Sequence, residues 1–263
     1  MIFGQVSRSI RYAGGFGVAL LMAMMAGSAQ AQTLSSVSAL TNYYSDFLSV
    51  QKPPGLGLTL FGGGFVSDQY ATLQEGFQLE QTVTHHLGVV ARATGYQLFM
   101  GQGFANPLAP SATPSSRYNF GRFQGGLDIG VLPNTHLYLL GGGDAGDSSA
   151  PNIEGDISNW LFVHSHNPLN ILISAVHDWQ NGVTSSSIDL RAVVLSTEDY
   201  LLMAGGGGAI YGGGFVSDVA GQGGPDLGVY YRPWEAGIDA QAGYGSAHQY
   251  GQIVLYKQFG WIE

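Results

Sequence analysis

Apolar and polar residues alternate along most of the chain from Leu56 onwards, and this pattern restricts the fold more than any other feature. Ile188 and Leu190, for example, alternate with Asp189 and Arg191. Because successive side chains of a β-strand point to opposite faces of the sheet, each such segment predicts a strand with one apolar and one polar face. The sequence therefore predicts an all-β, antiparallel fold of about twelve strands, with ten as the alternative count. The predicted strands span 56–66, 75–84, 87–99, 117–130, 135–144, 156–164, 169–179, 187–196, 200–215, 226–232, 235–245 and 249–261.

The N-terminus and the composition indicate an exported protein without a disulfide scaffold. Arg8 and Arg11 precede an apolar stretch and the small-x-small site Ala29-Gln30-Ala31, which together predict a cleaved signal peptide. There is no cysteine, and charged residues make up 10% of the chain, well below the roughly 25% usual in soluble domains. A net charge of −9 argues against nucleic acid as a partner.

The predicted connections differ between the two ends of the sheet. Those after even-numbered strands are tight, whereas those after odd-numbered strands are mostly longer and rich in Gly, Ser, Ala and Pro, the longest being 101–116. Short turns at one end and long loops at the other are typical of membrane-spanning barrels, in which the short turns are periplasmic. With an even number of strands, the predicted barrel begins and ends at that periplasmic end.

In these features the chain from Leu56 onwards resembles the bacterial outer-membrane β-barrel class. Its C-terminal strand, GQIVLYKQFGWIE, also resembles a barrel assembly signal, although Lys257 interrupts the apolar face and Ile262-Glu263 follow the last aromatic residue. The resemblance implies a closed up-and-down barrel in the outer membrane, with membrane lipid around it and the export and barrel-assembly machinery as partners in biogenesis. Aromatic residues near strand ends are expected to form two interfacial girdles: Trp160, Trp179, Tyr200, Trp234, Tyr244 and Trp261.

Ahead of the strands, apolar residues at three- and four-residue spacing over 35–49 predict one short amphipathic helix. We expect it to lie against the membrane or the barrel, and the alternative is that it plugs the lumen. The chain is thus predicted to consist of a signal peptide (1–31), an N-terminal helix and linker (32–55) and a β-barrel domain (56–263).

Three glycine phrases suggest an internal repeat. GGGFVSD occurs at 62–68 and again at 212–218, and the looser GGGDAGD occupies 141–147. Their positions at the ends of predicted strands one, five and nine predict three four-stranded units. Glycine allows a sheet to coil sharply, so we interpret the phrase as a strand exit. A phosphate-binding loop would require a following helix, which the sequence does not predict.

Charged and polar residues on the faces opposite the apolar ones are the candidate site. If the apolar faces contact lipid, these residues line the lumen and a candidate solute path. Twelve strands fall between the filled interior of an eight-stranded barrel and the aqueous channel of a sixteen-stranded one. The predicted lumen-lining residues are Arg92, Arg122, Gln124, Asp128, Asp189, Arg191, Asp239 and Lys257.

Histidines offer a less favoured alternative site. His164 and His166 share one face of a predicted strand, and a symmetric hairpin would place His136 opposite His164. Three imidazoles there would suit Zn²⁺ or Cu²⁺. We favour the reading that they are polar residues of the membrane interface, and we predict neither a metal nor a cofactor.

His164-Ser165 and His166-Asn167 superficially resemble the His, Ser and Asn residues of outer-membrane phospholipases and lipid A deacylases. Adjacent residues of a strand point to opposite faces, so His164 is badly placed to activate Ser165. There is also no GxSxG elbow. We therefore predict that the protein is not an enzyme, with an outer-membrane lipid hydrolase as the alternative.

The sequence thus favours a small porin-like channel for small solutes. Two alternatives stay open: a non-conducting structural or accessory barrel, for example in surface attachment or polysaccharide export, and a soluble secreted β-domain.

Overall fold

The chain forms one closed barrel of twelve antiparallel strands. The structure, a computed structural model, describes residues 55–67, 70–100, 116–132, 134–147, 149–163, 167–179, 183–213, 216–245 and 248–262. The predicted fold class and the count of twelve strands are confirmed. The predicted signal peptide and N-terminal helix lie outside the described residues.

Each strand pairs with its neighbours in sequence, and β12 pairs with β1 from Leu56↔Ile262 to Ser67↔Tyr250. In the described residues the only helix is a 3₁₀ turn at Arg232–Trp234, and no helix there is long and apolar enough to cross a membrane. The strands are β1 (Gly55–Ser67), β2 (Tyr70–Thr84), β3 (Leu87–Met100), β4 (Ser116–Leu132), β5 (Thr135–Gly146), β6 (Pro151–Leu161), β7 (Leu169–Asp178), β8 (Val183–Ser196), β9 (Tyr200–Gly213), β10 (Val216–Tyr231), β11 (Ala236–Gly245) and β12 (His248–Ile262).

We call the end where β1 begins and β12 ends the terminal end, and the other the distal end. The connections after even-numbered strands lie at the terminal end, and those after odd-numbered strands at the distal end. The connections after odd-numbered strands were predicted to be mostly the longer ones. This is wrong for three of them, because only two residues separate β1 from β2, β9 from β10, and β11 from β12. The strands run further than predicted because their glycine- and serine-rich ends still pair, and the long connection is 101–115, between β3 and β4.

The barrel is apolar outside and polar inside. On β4, Phe123 is 58% exposed on the outer face, whereas its neighbours Arg122 and Gln124 are buried on the inner face. In water this arrangement would be unfavourable, because each Å² of apolar surface left exposed forgoes about 25 cal/mol. An outer face of this kind suits hydrocarbon, where a closed sheet leaves no backbone group without a partner.

Two of the glycine phrases lie inside strands, which corrects their interpretation as strand exits. β1 continues past Gly62–Gly64 to Ser67, and β5 continues past Gly141–Gly143 to Gly146. Glycine is needed there for close approach of the backbone: a Cβ on Gly142 would collide with the carbonyl oxygen of Phe123 on β4. The phrases do occupy β1, β5 and β9, while the threefold repeat stays a prediction.

Gly142→Ala should weaken the barrel, because the added methyl group meets backbone of β4 that cannot move aside without disturbing strand pairing. We expect a loss of about 1–3 kcal/mol in the free energy of unfolding, the usual cost of overpacking, measured by urea titration in detergent or lipid. Gly141→Ala is the matched control, since a Cβ there meets nothing within 4 Å. Equal stability of the two variants would contradict this account of the glycine phrase.

Candidate functional site in the barrel interior

Seven of the eight predicted lumen residues lie on the inner face, each at most 6% exposed: Arg92, Arg122, Gln124, Asp128, Asp189, Arg191 and Asp239. The prediction for Lys257 is wrong, because even-numbered residues of β12 point inwards and Lys257 lies outside. Its ammonium group donates to the Trp234 carbonyl and lies 5.0 Å from the centre of the Phe259 ring. A long lysine side chain can run over apolar surface while its charge reaches a polar group at the terminal end.

One cluster of charges, the β3–β6 cluster, is centred on Arg92. Its Nη1 donates to Glu154 Oε1 at 2.6 Å, and its Nε donates to Gln78 Oε1 at 2.9 Å. Gln124 Nε2 donates to the other Glu154 oxygen at 2.9 Å. Because β4 and β5 separate β3 from β6 in the sheet, the Arg92–Glu154 pair joins strands that share no backbone hydrogen bonds.

The same cluster continues towards the distal end. Arg122 holds Asp144 in a two-bond arrangement, with Nε to Oδ1 at 2.8 Å and Nη2 to Oδ2 at 2.9 Å. Asn152 Nδ2 also donates to Asp144 Oδ1 at 2.9 Å, and the Tyr96 ring centre lies 5.9 Å from the Arg122 guanidinium carbon. Paired arginine–carboxylate hydrogen bonds of this kind are among the strongest in proteins, so this part of the wall is fixed.

A second cluster, the β8–β11 cluster, consists of Arg191, Asp189, Asp226 and Asp239. Arg191 Nη1 donates to Asp239 Oδ2, and Arg191 Nε lies 3.3 Å from Asp226 Oδ1. Asp189 shares the inner face of β8 with Arg191. Twelve strands close the barrel, so this cluster lies on the wall facing the β3–β6 cluster. It sets one positive charge against three carboxyl groups.

Sequence reasoning missed five inner-face carboxyl groups, and one of them, Glu154, was missed because its strand was predicted to start too late. β6 begins at Pro151 rather than at residue 156, so Glu154 fell outside the predicted strand. The alternation of Asn152, Glu154, Asp156 and Ser158 along β6 would have revealed Glu154 and Asp156. Among the described residues, the arginine and carboxyl side chains buried on the inner face are three arginines and eight carboxyl groups: Arg92, Arg122 and Arg191 against Glu80, Asp128, Asp144, Glu154, Asp156, Asp189, Asp226 and Asp239.

Apolar side chains fill part of the interior, mostly near the terminal end. We call them the apolar layer, and each member is at most 6% exposed. Trp160, predicted for an interfacial girdle, belongs to this layer instead because even-numbered residues of β6 point inwards. The members are Phe61, Val90, Tyr138, Leu140, Trp160, Leu172, Val193, Leu201, Met203, Tyr230, Val254 and Tyr256.

The candidate histidine site does not form as predicted. His136 pairs opposite Ser158, not His164, because the β5–β6 hairpin is centred on residue 147, as the Gly143–Pro151 pair shows, and not on residue 150. His136 Nδ1 instead lies 2.8 Å from Asp128 Oδ1 on β4. His164 and His166 lie outside the described residues, within which no three His, Cys, Asp or Glu side chains are grouped to hold a metal ion.

No protein-family model matches the sequence, and no curated protein matches it significantly. The barrel resembles an outer membrane channel from Pseudomonas putida, with a TM-score of 0.53 and 9% identity over 80% of this chain and 98% of that one. LpxR from Salmonella typhimurium gives a TM-score of 0.49 and 7% identity, over 77% of this chain and 100% of that one. The KdgM porin gives a TM-score of 0.42 and 8% identity, over 76% of this chain and 99% of that one. The likeness to the Pseudomonas putida channel shows a shared fold, and the chain has the fold of an outer-membrane β-barrel.

Removing one partner of the Arg92–Glu154 pair should destabilise the barrel more than removing both. Arg92→Gln leaves Glu154 buried without its main cation, a change that typically costs about 3–5 kcal/mol. Arg92→Gln combined with Glu154→Gln should recover much of that loss in urea titrations. Lys257→Gln serves as the control for loss of a positive charge on the outer face, and we expect it to be near neutral. A double variant less stable than Arg92→Gln would refute the coupling.

Proposed function

We propose that the protein is an outer-membrane channel that lets small solutes pass through the barrel. The observation that carries this proposal is the polar, charged inner face inside an apolar outer face. If the interior served stability alone, apolar residues would serve it at least as well, because buried ion pairs often add less stability than hydrophobic replacements of similar volume. Charges arranged along the inner face are what a path for water and solutes requires.

The outer membrane is the proposed location, reached by way of the predicted signal peptide. Aromatic side chains stand exposed near both rims: Trp179 and Tyr244 near the distal end, and Tyr200 and Trp234 near the terminal end. Tyrosine and tryptophan prefer the two membrane–water interfaces, so these residues suit the girdles of a spanning barrel. We propose that the terminal end faces the periplasm. Recovery of the protein in the soluble periplasmic fraction would contradict this location and favour a secreted β-domain.

The apolar layer favours a second candidate, a non-conducting structural or accessory barrel. Met203 and Leu172 are fully buried within it, and apolar constrictions close pores by excluding water. The same layer in a channel would form its narrowest point. The two candidates therefore differ in whether water crosses the apolar layer in the unmodified protein.

Single-channel recording in planar bilayers separates them. We expect small, discrete current steps from the wild-type protein, and steps roughly several-fold larger from Leu172→Ala with Met203→Ala, because the constriction widens and becomes less apolar. Leu190→Ala, on the outer face of β8, is the matched control and should behave as wild type.

Steps seen only in the double variant would favour the closed barrel. Their absence from both proteins, once heat-modifiable migration on a gel has shown that each is folded, would refute the channel.

A further inference from the structure

We infer that Asp189, Asp226 and Asp239 form a binding station for small monovalent cations on the solute path, and that the channel passes cations in preference to anions. This inference rests on the proposed function and names its substrate class. It follows from the charge of the β8–β11 cluster, from the hydrogen bonding of Asp226 and from the glycine surface beneath the carboxylates.

The charge of the cluster is unbalanced. Arg191 contacts Asp239 and Asp226, and Asp189 adds a third carboxyl group on the same wall. All four side chains are at most 6% exposed. Like charges gathered away from bulk water repel strongly because the local dielectric is low. A mobile cation beside the carboxylates would offset that repulsion.

Asp226 has hydrogen-bonding capacity that the protein itself does not satisfy. Its side chain is 5% exposed, and neither carboxylate oxygen accepts a hydrogen bond in the structure. Arg191 Nε lies 3.3 Å from Oδ1, close enough for an ion pair but without the geometry of a hydrogen bond. A buried acceptor left without a donor is destabilising, because nothing compensates for its lost hydration. A bound cation or ammonium group would satisfy it.

Glycine lets the carboxylates lie close against the barrel wall. Asp189 lies over Gly207, and Asp239 lies over Gly228, where a Cβ would come within 2.7 Å of Asp239 Oδ2. Gly205 pairs with Arg191 on one side and with Asp226 on the other, and it presents bare backbone to the interior. Glycine within a strand often marks a place where a ligand or another backbone approaches closely.

We expect the occupant to be a monovalent cation, because Arg191 weakens the binding of cations to the cluster. Arg191 stands among the carboxylates and would repel a divalent ion more strongly than a monovalent one. Within the described residues no three carboxyl groups are grouped to chelate one metal ion, so we expect the station to hold an ion only loosely. Conduction needs binding that is favourable enough to admit an ion and weak enough to release it. The β3–β6 cluster differs, since Asp144 is already held by Arg122 and Asn152.

Reversal potentials across a KCl gradient in planar bilayers test the selectivity. We expect the wild-type channel to favour K⁺ over Cl⁻, and Asp226→Asn or Asp189→Asn to lower the permeability ratio by roughly three- to tenfold, because each removes one charge beside the path. Glu75→Gln is the matched control, since it removes the same charge from an exposed side chain on the outer face of β2. An unchanged ratio in both cluster variants would overturn the inference while leaving the channel itself intact.

Crystals of the wild-type protein grown with RbCl give a readout that does not require conduction. We expect anomalous density for Rb⁺ beside the Asp226 carboxylate, and its loss in Asp226→Asn. Density there from a protein that shows no current would support the station and refute the channel. No density at the cluster would overturn the station, whatever the current.

Discussion

The hydrogen-bonding requirement of the backbone is the constraint on which the rest of this structure depends. A sheet bounded by apolar surroundings has no water to satisfy its edges, so it must close. Pairing of β12 with β1 achieves this. Once the sheet is closed, alternation along each strand leaves one set of side chains outside and one inside. Because the outer set is mostly apolar to suit lipid, most charged side chains of the strands lie in the interior.

The charged side chains of the interior are arranged in two ways. On one wall, Arg92 and Arg122 meet carboxylates at hydrogen-bonding distance, and the Arg92–Glu154 pair links strands that are not neighbours. On the facing wall, Arg191 alone meets three carboxyl groups over bare glycine backbone. The paired arginines of the first wall restrain the curvature of the barrel. On the second wall, neither carboxylate oxygen of Asp226 accepts a hydrogen bond, which is why we place the cation station there.

Much of this was predictable from the sequence, since side-chain alternation depends only on strand geometry. Period two alone placed Arg122, Gln124 and Asp128 on one face, and the structure keeps them there. Strand ends were less predictable, because the glycines of β10 look like turn residues but are retained in the sheet by pairing with β9 and β11. The prediction that Lys257 lines the lumen failed for a different reason. Its position in the strand places it on the outer face, and only the structure shows that its ammonium group donates to the Trp234 carbonyl there.

The β1–β12 seam also has a kinetic consequence. It joins residues separated by nearly the whole barrel sequence, with Leu56 opposite Ile262. Loop-closure entropy opposes contacts between distant residues, and folds dominated by such contacts form slowly. All other strand pairs join consecutive strands and can form as hairpins. A nearly complete but open sheet is therefore the expected late species in folding, with β1 and β12 both exposing unpaired edges until they meet. During that interval the chain is most prone to pair with another copy of itself.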